Sequence, residues 1–326
     1  MKLIIQIPCL NEAGTLGIAV GALPRQVEGF DRVEWLVIDD GSTDGTATLA
    51  RELGVDHVIQ HPVNRGLATA FMTGLHAALR LGADVVVNTD ADNQYEARDI
   101  PALTTPILEG RADMVIGARP IDETAHFSWI KKKLQRLGSW AVRKASGTDV
   151  QDAPSGFRAI SRETAMRLNV FNPYTYTLET IIQAGQSNLR IVSVPIRTNA
   201  DLRPSRLVRS IGSYVRRSLV TIVRVFVIYR PMFTFLSVAA LLGIPGLLLG
   251  IRYLVFLATG QGGGHVQSLI LASLLVTLSA LALMCGLLAD LIATNRKLLE
   301  KVDRTGNATA LSLASCPPDA DSAAAR

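Results

Sequence analysis

Short apolar runs punctuate the first two hundred residues, with helical stretches between them. They fall at 3–7, 35–38, 57–60, 85–88, 114–117 and 191–196, and helical spacing and composition recur at 13–23, 43–53, 67–81 and 98–109. Strand-like runs alternating with helices predict an α/β domain built on a mostly parallel sheet with helices on both faces. Ligands of such sheets bind beyond the carboxyl ends of the strands. Two aspartate-rich turns fall at such ends, "LVIDDGSTDGT" and "VVVNTDADNQY".

The pattern changes after residue 202. Arg209, Arg216, Arg217 and Arg224 recur at nearly seven-residue intervals among Leu207, Val208, Ile211, Tyr214, Val215, Leu219, Ile222 and Val223. On a helix the arginines gather on one side, as suits a segment lying in the headgroup plane of a membrane. Beyond it, 21 residues between Arg230 and Arg252 and 37 between Arg252 and Asp290 contain no Asp, Glu, Lys or Arg. About 20 apolar residues cross the hydrocarbon layer, so two spans are expected, roughly 232–258 and 266–289. Arg224 and Arg230 precede the pair, Arg296, Lys297 and Lys301 follow it, and the loop between holds neither Lys nor Arg, which puts both ends on the cytoplasmic side of the cell membrane. Arg252 is expected to snorkel and Pro245 to kink its helix. The domain plan is therefore a catalytic domain over 1–202, an interfacial segment over 203–230, two spans within 231–292, and a cytoplasmic, largely disordered tail over 293–326.

Charge sharpens this plan. The formal excess is +5, yet residues 203–230 alone hold seven Arg and no acid. Basicity so localised points to an anionic lipid surface and away from nucleic acid. Cys9, Cys285 and Cys316 have neither metal-ligand nor paired spacing, so a reducing compartment is expected. Lys2 before an apolar run resembles the start of a signal peptide, but Gln6 interrupts the run and Asn11 and Glu12 follow at once.

The turns carry the candidate chemistry. Pro8, Asn11 and Glu12 follow the first strand, and Asp39 ends the second, where a carboxylate can accept from a nucleobase edge. Gly41, Ser42 and Thr43 then turn the chain into a helix. In "DADNQ", Asp90, Asp92 and Gln94 offer two carboxylates and an amide at alternate positions, a donor set for one hard divalent cation with phosphate oxygens completing its shell. The five histidines show no ligand spacing and read as incidental, and Lys131, Lys132 and Lys133 read either as a loop over a site entrance or as a solvated turn.

The ordered strings "IPCLNE", "VIDDGSTDGT", "NRGLATA", "DADNQY", "GAR", "DAPSGFRAISRE", "YTYTLE" and "RPSRL" resemble glycosyltransferase family 2, and within it the dolichol-phosphate mannosyltransferase-like branch. The resemblance implies a GT-A fold, a nucleotide-sugar donor, Mg²⁺ or Mn²⁺, a polyprenyl phosphate acceptor in the bilayer, and inversion to a β-linked lipid phosphate sugar. It further implies that Pro8, Asn11, Glu12, Asp39, Asp90 and Ala91 hold the nucleotide sugar, with Arg203 and Arg206 near its diphosphate; Asp90, Asp92 and Gln94 hold the metal; and Arg119, Arg136 and Ser139 hold the acceptor phosphate, with Lys132 in reserve. Asp92 and Arg119 are the expected catalytic pair. Arg158 of "SGFR" either braces the fold or touches substrate, and Glu179 either faces the sugar or forms an ion pair.

Two rivals remain. A processive polysaccharide synthase would carry Gln-x-x-Arg-Trp, a spacing that Gln135, Arg136 and Trp140 lack. A silent nucleotide-sugar sensor would have a damaged metal site, and Asp90, Asp92 and Gln94 are all present. Asp39 suits uracil and guanine alike, and the paired spans suit a homo-oligomer.

Overall fold

A computed structural model describes residues 1–120, 129–170, 176–199, 220, 223–224, 226–260 and 266–315, with the backbone alone at 129–136, 296–297 and 300–315. The chain divides into two compact units, Met1–Ser218 with Val302–Arg326, and Leu219–Lys301.

In the first unit, seven strands form one sheet: β1 (Lys2–Cys9), β2 (Arg32–Asp39), β3 (His57–Gln60), β4 (Val85–Asn88), β5 (Met114–Ala118), β6 (Arg158–Ser161) and β7 (Ile191–Pro195). Their order is β3-β2-β1-β4-β6-β5-β7. Six strands run parallel, and β6 lies antiparallel between β4 and β5. Strand β1 is central and buried along almost its whole length, because helices cover both faces and leave no polar side for alternation. Leu3, Ile5 and Ile7 are fully buried with Val37, Val85, Val87 and Val115. Each such side chain contributes about 1.5–3 kcal/mol by leaving water.

The helices are α1 (Ala13–Ala22), α2 (Thr46–Glu52), α3 (Leu67–Arg80), α4 (Ile100–Leu108), α5 (Trp129–Ser146), α6 (Arg162–Arg167) and α7 (Thr177–Gln186). Helix α3 packs directly on β1 and β2, and Gly74 makes that approach possible: a Cβ there would sit 2.6 Å from Ile38 Cδ1 and Gln6 Oε1.

The mostly parallel α/β architecture agrees with the sequence pattern, and three details differ. Strand β6 escapes the periodicity because "RAIS" is short and opens on an arginine. Helix α2 starts at Thr46 in place of 43, since Gly45 adopts φ +85° and Asp44 accepts from the Thr46 backbone, keeping residues 43–45 in the turn. The expected disordered tail is corrected for 293–315, because the last helix continues through it to Ser315.

The second unit contains α8 (Pro231–Ala258) and most of α9 (Val266–Ser315). Segments Pro231–Ala258 and Val266–Asn295 are long and apolar enough to cross a bilayer. Their outer sides are not those of a soluble core: Leu241 is 73% and Ile292 69% exposed. The two helices meet through small residues, with Ser279 Oγ donating to the Ala239 carbonyl at 2.8 Å and Cβ atoms at Gly243 and Gly286 excluded by Ser279 and Phe235. Helix α8 runs unbroken through Pro245, and Arg252 lies over the Phe256 ring one turn on, 5.5 Å from its centroid.

Candidate active site

The carboxyl ends of β1, β2 and β4 converge. Register sets Cys9 beside Asp39 and Gln6 beside Asn88, so the two aspartate-rich turns leave the same edge of the sheet. Burial pushes the Cys9 thiol well above its usual range, as do the facing carboxylates of Glu12, Asp39, Asp90 and Asp44. Acids from three turns thus surround one strand end.

The first two turns lock together through short side chains. Asn11, at φ +55°, accepts from the Thr43 backbone at 2.9 Å and donates its own N–H to Ser42 Oγ at 2.8 Å. Glu12 N–H donates to Thr46 Oγ1 and Ala13 N–H to Asp44, each at 3.0 Å. Asp39 is fully buried; its Oδ1 accepts from the Ser42 backbone at 3.0 Å, and its Oδ2 has no partner among the described residues. A buried carboxylate oxygen without a donor is costly, so a ligand N–H is its natural complement.

Asp40 has the opposite character. Its carboxylate accepts from the backbones of Arg65 and Gly66 and pairs with His61 Nδ1 at 2.7 Å, while His61 Nε2 reaches Thr73 Oγ1 at 3.1 Å. His61, read from sequence as incidental, is buried at the centre of this bracket. The bracket presses residues 61–66 against Gly41, where φ is +78° and a Cβ would lie 2.6 Å from the Val63 carbonyl carbon. A recess beside Asp39 is lined by Gly41, Ser42, Thr43, Gln60, His61 and Pro62.

The third turn begins two residues beyond β4. Asp90 is partly exposed, Ala91 is buried, and Asp92 Oδ1 accepts from the Gln94 backbone at 3.1 Å. Asn199 closes the turn from outside, donating to the carbonyls of Asn93 and Tyr95 while its backbone N–H reaches the Gln94 carbonyl. The Asp90 carboxyl is pushed up to about 7 by burial and by Asp92, against the pull of Arg119 and Arg158. Asp90 and Asp92 lie close enough to repel one another, and paired carboxylates are the kind of oxygen donor that suits Mg²⁺ or Mn²⁺. Among the described residues no three His, Cys, Asp or Glu side chains form a metal-binding group, which leaves the other coordination positions to ligand oxygens.

Arg119 follows β5 and is close enough to Asp90 for each to shift the other. Burial works against its charge, but Tyr95, Asp152 and Asp90 outweigh that and hold it protonated. Asp152 grips it in a fork, Nε to Oδ2 at 2.7 Å and Nη2 to Oδ1 at 3.1 Å. Nη1 has no hydrogen-bond partner among the described residues. Ser139 of α5 is buried and its Oγ accepts from the Ala153 backbone at 3.4 Å, steadying the turn that carries Asp152. The Arg136 and Lys132 side chains, Arg203 and Arg206 lie outside the described residues.

Arg158 is decided in favour of bracing. It is fully buried, and all five of its N–H donors are used, on the carbonyls of Ser155 (twice), Ala153 and Thr177 and on Thr180 Oγ1. None is left for a substrate. Its charge still acts on Asp90 from below. Glu179 is buried on α7. Sequence reasoning passed over Asp44, Asn88, Asp152 and Asn199, whose importance rests on partners 31 to 106 residues away; for Asp152 the "DAPSGFR" string was an available signal.

The family model of glycosyl transferase family 2 matches residues 4–168. Undecaprenyl-phosphate mannosyltransferase of Micrococcus luteus is 30% identical over 206 residues, covering 60% of this chain and 83% of that one. The UDP-N-acetylglucosamine–dolichyl-phosphate N-acetylglucosaminyltransferase of Methanococcus voltae is 31% identical over 214 residues, covering 59% and 83%. Among solved structures, glucosyl-3-phosphoglycerate synthase from Mycobacterium tuberculosis, in complex with Mn²⁺, uridine diphosphate and glucosyl-3-phosphoglycerate, superposes with a TM-score of 0.55 at 25% identity, covering 69% of this chain and 79% of that one.

Proposed function

The chain belongs to glycosyl transferase family 2 and is a glycosyltransferase, and from that premise we propose that it moves a sugar from a UDP- or GDP-sugar to a polyprenyl phosphate, with inversion. The observation that carries the reading is one sheet edge holding three things at once: a buried Asp39 oxygen awaiting a donor, the Asp90–Asp92 pair, and Arg119 within electrostatic reach of it. A nucleotide sugar fits the first two. The relatives that act on undecaprenyl and dolichyl phosphates, together with two bilayer-length helices, support a lipid phosphate as the acceptor.

In this reading Asp39 accepts an N–H of the base, and Pro8, Asn11, Glu12 and Ala91 shape the pocket around nucleoside and sugar. Asp90, Asp92 and Gln94 would hold Mg²⁺ or Mn²⁺, which when bound supplies positive charge against the donor diphosphate. Arg203 and Arg206 act on the same diphosphate. Arg119, oriented by Asp152, turns Nη1, which has no partner among the described residues, to the acceptor phosphate, joined by Arg136 and, where the turn opens, Ser139. A phosphate monoester has a second pKa of about 6, so it reaches the site already anionic and needs no strong base. What the protein supplies is position: guanidinium groups bring one anion against another and hold it for in-line attack at the anomeric carbon.

The catalytic domain (1–202) and the tail from 293 are assigned to the cytoplasmic side, with 203–230 at the interface and the two spans between. The test is transfer of radiolabelled sugar from a panel of UDP- and GDP-sugars to polyprenyl phosphate in detergent with Mn²⁺. Lipid-linked product from one donor is the expected result. Tight nucleotide binding with no product under any donor would instead favour a silent sensor.

A further inference from the structure

The Asp90 carboxylate makes no hydrogen bond with any described residue, so something other than a donor must aim it. Gly156 lies close beside it, with room only because glycine has no side chain. A Cβ at that position would lie 3.1 Å from both Asp90 carboxylate oxygens and 3.0 Å from Tyr176 Oη. Gly156 is pinned at both of its polar groups: its N–H donates to Tyr95 Oη at 3.0 Å, and its carbonyl accepts from Asn88 Nδ2 at 2.8 Å.

Asn88 is itself held from two further sides. Its Oδ1 accepts from Gln6 Nε2 at 2.9 Å, which sets the amide so that its NH₂ group faces Gly156, and the same NH₂ group donates to Tyr176 Oη at 3.0 Å. Tyr176 is fixed in turn by stacking on Phe71, with ring centroids 4.0 Å apart. Gln6 and Asn88 are fully buried, so these bonds exchange little with water, and a lost partner leaves polar groups stranded.

We propose that Asn88 is a positioning residue for the metal site: through the Gly156 carbonyl it sets the floor on which the Asp90 carboxylate lies, and thereby the place where that carboxylate meets a divalent cation. The proposal rests on the metal-dependent reading above only in taking Asp90 as a ligand. Nothing about it requires a particular sugar or acceptor. It is a deeper layer of the same site, in which a buried amide supports a ligand it does not touch.

The experiment uses the full chain in detergent and reads Mn²⁺ binding by electron paramagnetic resonance, with and without UDP or GDP, beside thermal unfolding. Supporting partners of metal ligands are typically worth about 10- to 100-fold in affinity. Asn88→Leu is expected to weaken Mn²⁺ binding at least about tenfold, and Gly156→Ala, whose methyl crowds both carboxylate oxygens, is expected to do the same while leaving the Gln6–Asn88 bond intact. Tyr176→Phe keeps the ring stack and the Asn88–Gly156 bond and should move affinity far less. Should Asn88→Leu misfold, Asn88→Ala takes its place and is read in the same way. Unchanged Mn²⁺ affinity in folded Asn88→Leu or Gly156→Ala overturns the proposal, as does a loss in Tyr176→Phe equal to theirs. Wild-type protein that binds Mn²⁺ but transfers no sugar would count against the proposed function and leave this inference standing on the binding data.

Discussion

Removing Asp152 tests the idea that Arg119 is a pre-aimed cation. Asp152→Ala deletes a bidentate pair whose carboxylate is 1% exposed and whose guanidinium is 15% exposed, together with the weaker bond from the Arg119 backbone at 3.3 Å. Breaking a buried pair by removing one partner costs about 3–5 kcal/mol, because the other charge stays behind unpaired. Limited water access to Arg119 and its attraction to Asp90 place the expected loss near the lower end, about 3 kcal/mol. For a domain of this size each kcal/mol moves the melting temperature by about 2–4 °C, so a fall of about 6–12 °C is expected in a thermal scan in detergent. The double variant Arg119→Met with Asp152→Leu should recover most of that loss, since two apolar groups strand no charge. Activity should separate the two: Asp152→Ala raises the acceptor KM far more than the donor KM, and the double variant, though stable, transfers little sugar. A single variant that melts within about 2 °C of wild type, below what even one lost kcal/mol predicts, would falsify this account of the pair.

Asp39→Ala removes the one acceptor left open in the first pocket and should weaken UDP or GDP binding by about 10- to 100-fold, the range for a hydrogen bond to a charged group; equal affinity by calorimetry would move the base elsewhere. Gly41→Ala meets both a left-handed φ and the Val63 backbone, so a loss of more than the roughly 1–2 kcal/mol due to φ alone is expected in thermal unfolding. At the far end of the sheet, burial opposes the charge on Glu34, but hydrogen bonds from Lys2 and His57 win and hold its carboxyl below the usual range. Its stabilisation is therefore full above the unfolded value of about 4.3 and is lost as pH falls through the folded one. Glu34→Gln should accordingly lower the melting temperature at pH 6 and by progressively less as pH is taken below the unfolded value, and a loss that stays constant all the way down the acid range would contradict the sign. Chelation by EDTA should abolish transfer and Mn²⁺ restore it, and transfer that persists without divalent ions would remove Asp90 and Asp92 from the proposed roles.

Much of this protein is legible before any coordinates. Apolar strand runs such as WLVI of β2 and VVV of β4 announce themselves, and so do two charge-free stretches of bilayer length, because burial on both faces of a sheet, or an apolar surround, leaves a one-dimensional trace. The aspartate turns are legible for a related reason: a strand end followed by Asp, Gly and Ser can do few things besides turn and bind. By contrast β6 opens on an arginine and holds only Ala159 and Ile160 between polar ends, and its place between β4 and β5 depends on pairings that no local window contains.

Roles among like residues belong to the tertiary structure. Asp39 and Asp40 are neighbours in sequence, yet one keeps a buried oxygen open and the other spends its carboxylate on His61, Arg65 and Gly66. Arg119 and Arg158 both act electrostatically on Asp90, yet among the described residues Arg119 Nη1 has no partner while Arg158 uses every donor on the fold. Residue type and spacing determined which strand ends carry the aspartate-rich turns and which stretches are long and apolar enough to cross a bilayer, since those follow from hydrophobic periodicity and turn propensity along the chain. Which carboxylate or guanidinium remains available for a ligand was decided only when distant segments met, because a hydrogen-bond donor used on one partner is lost to every other.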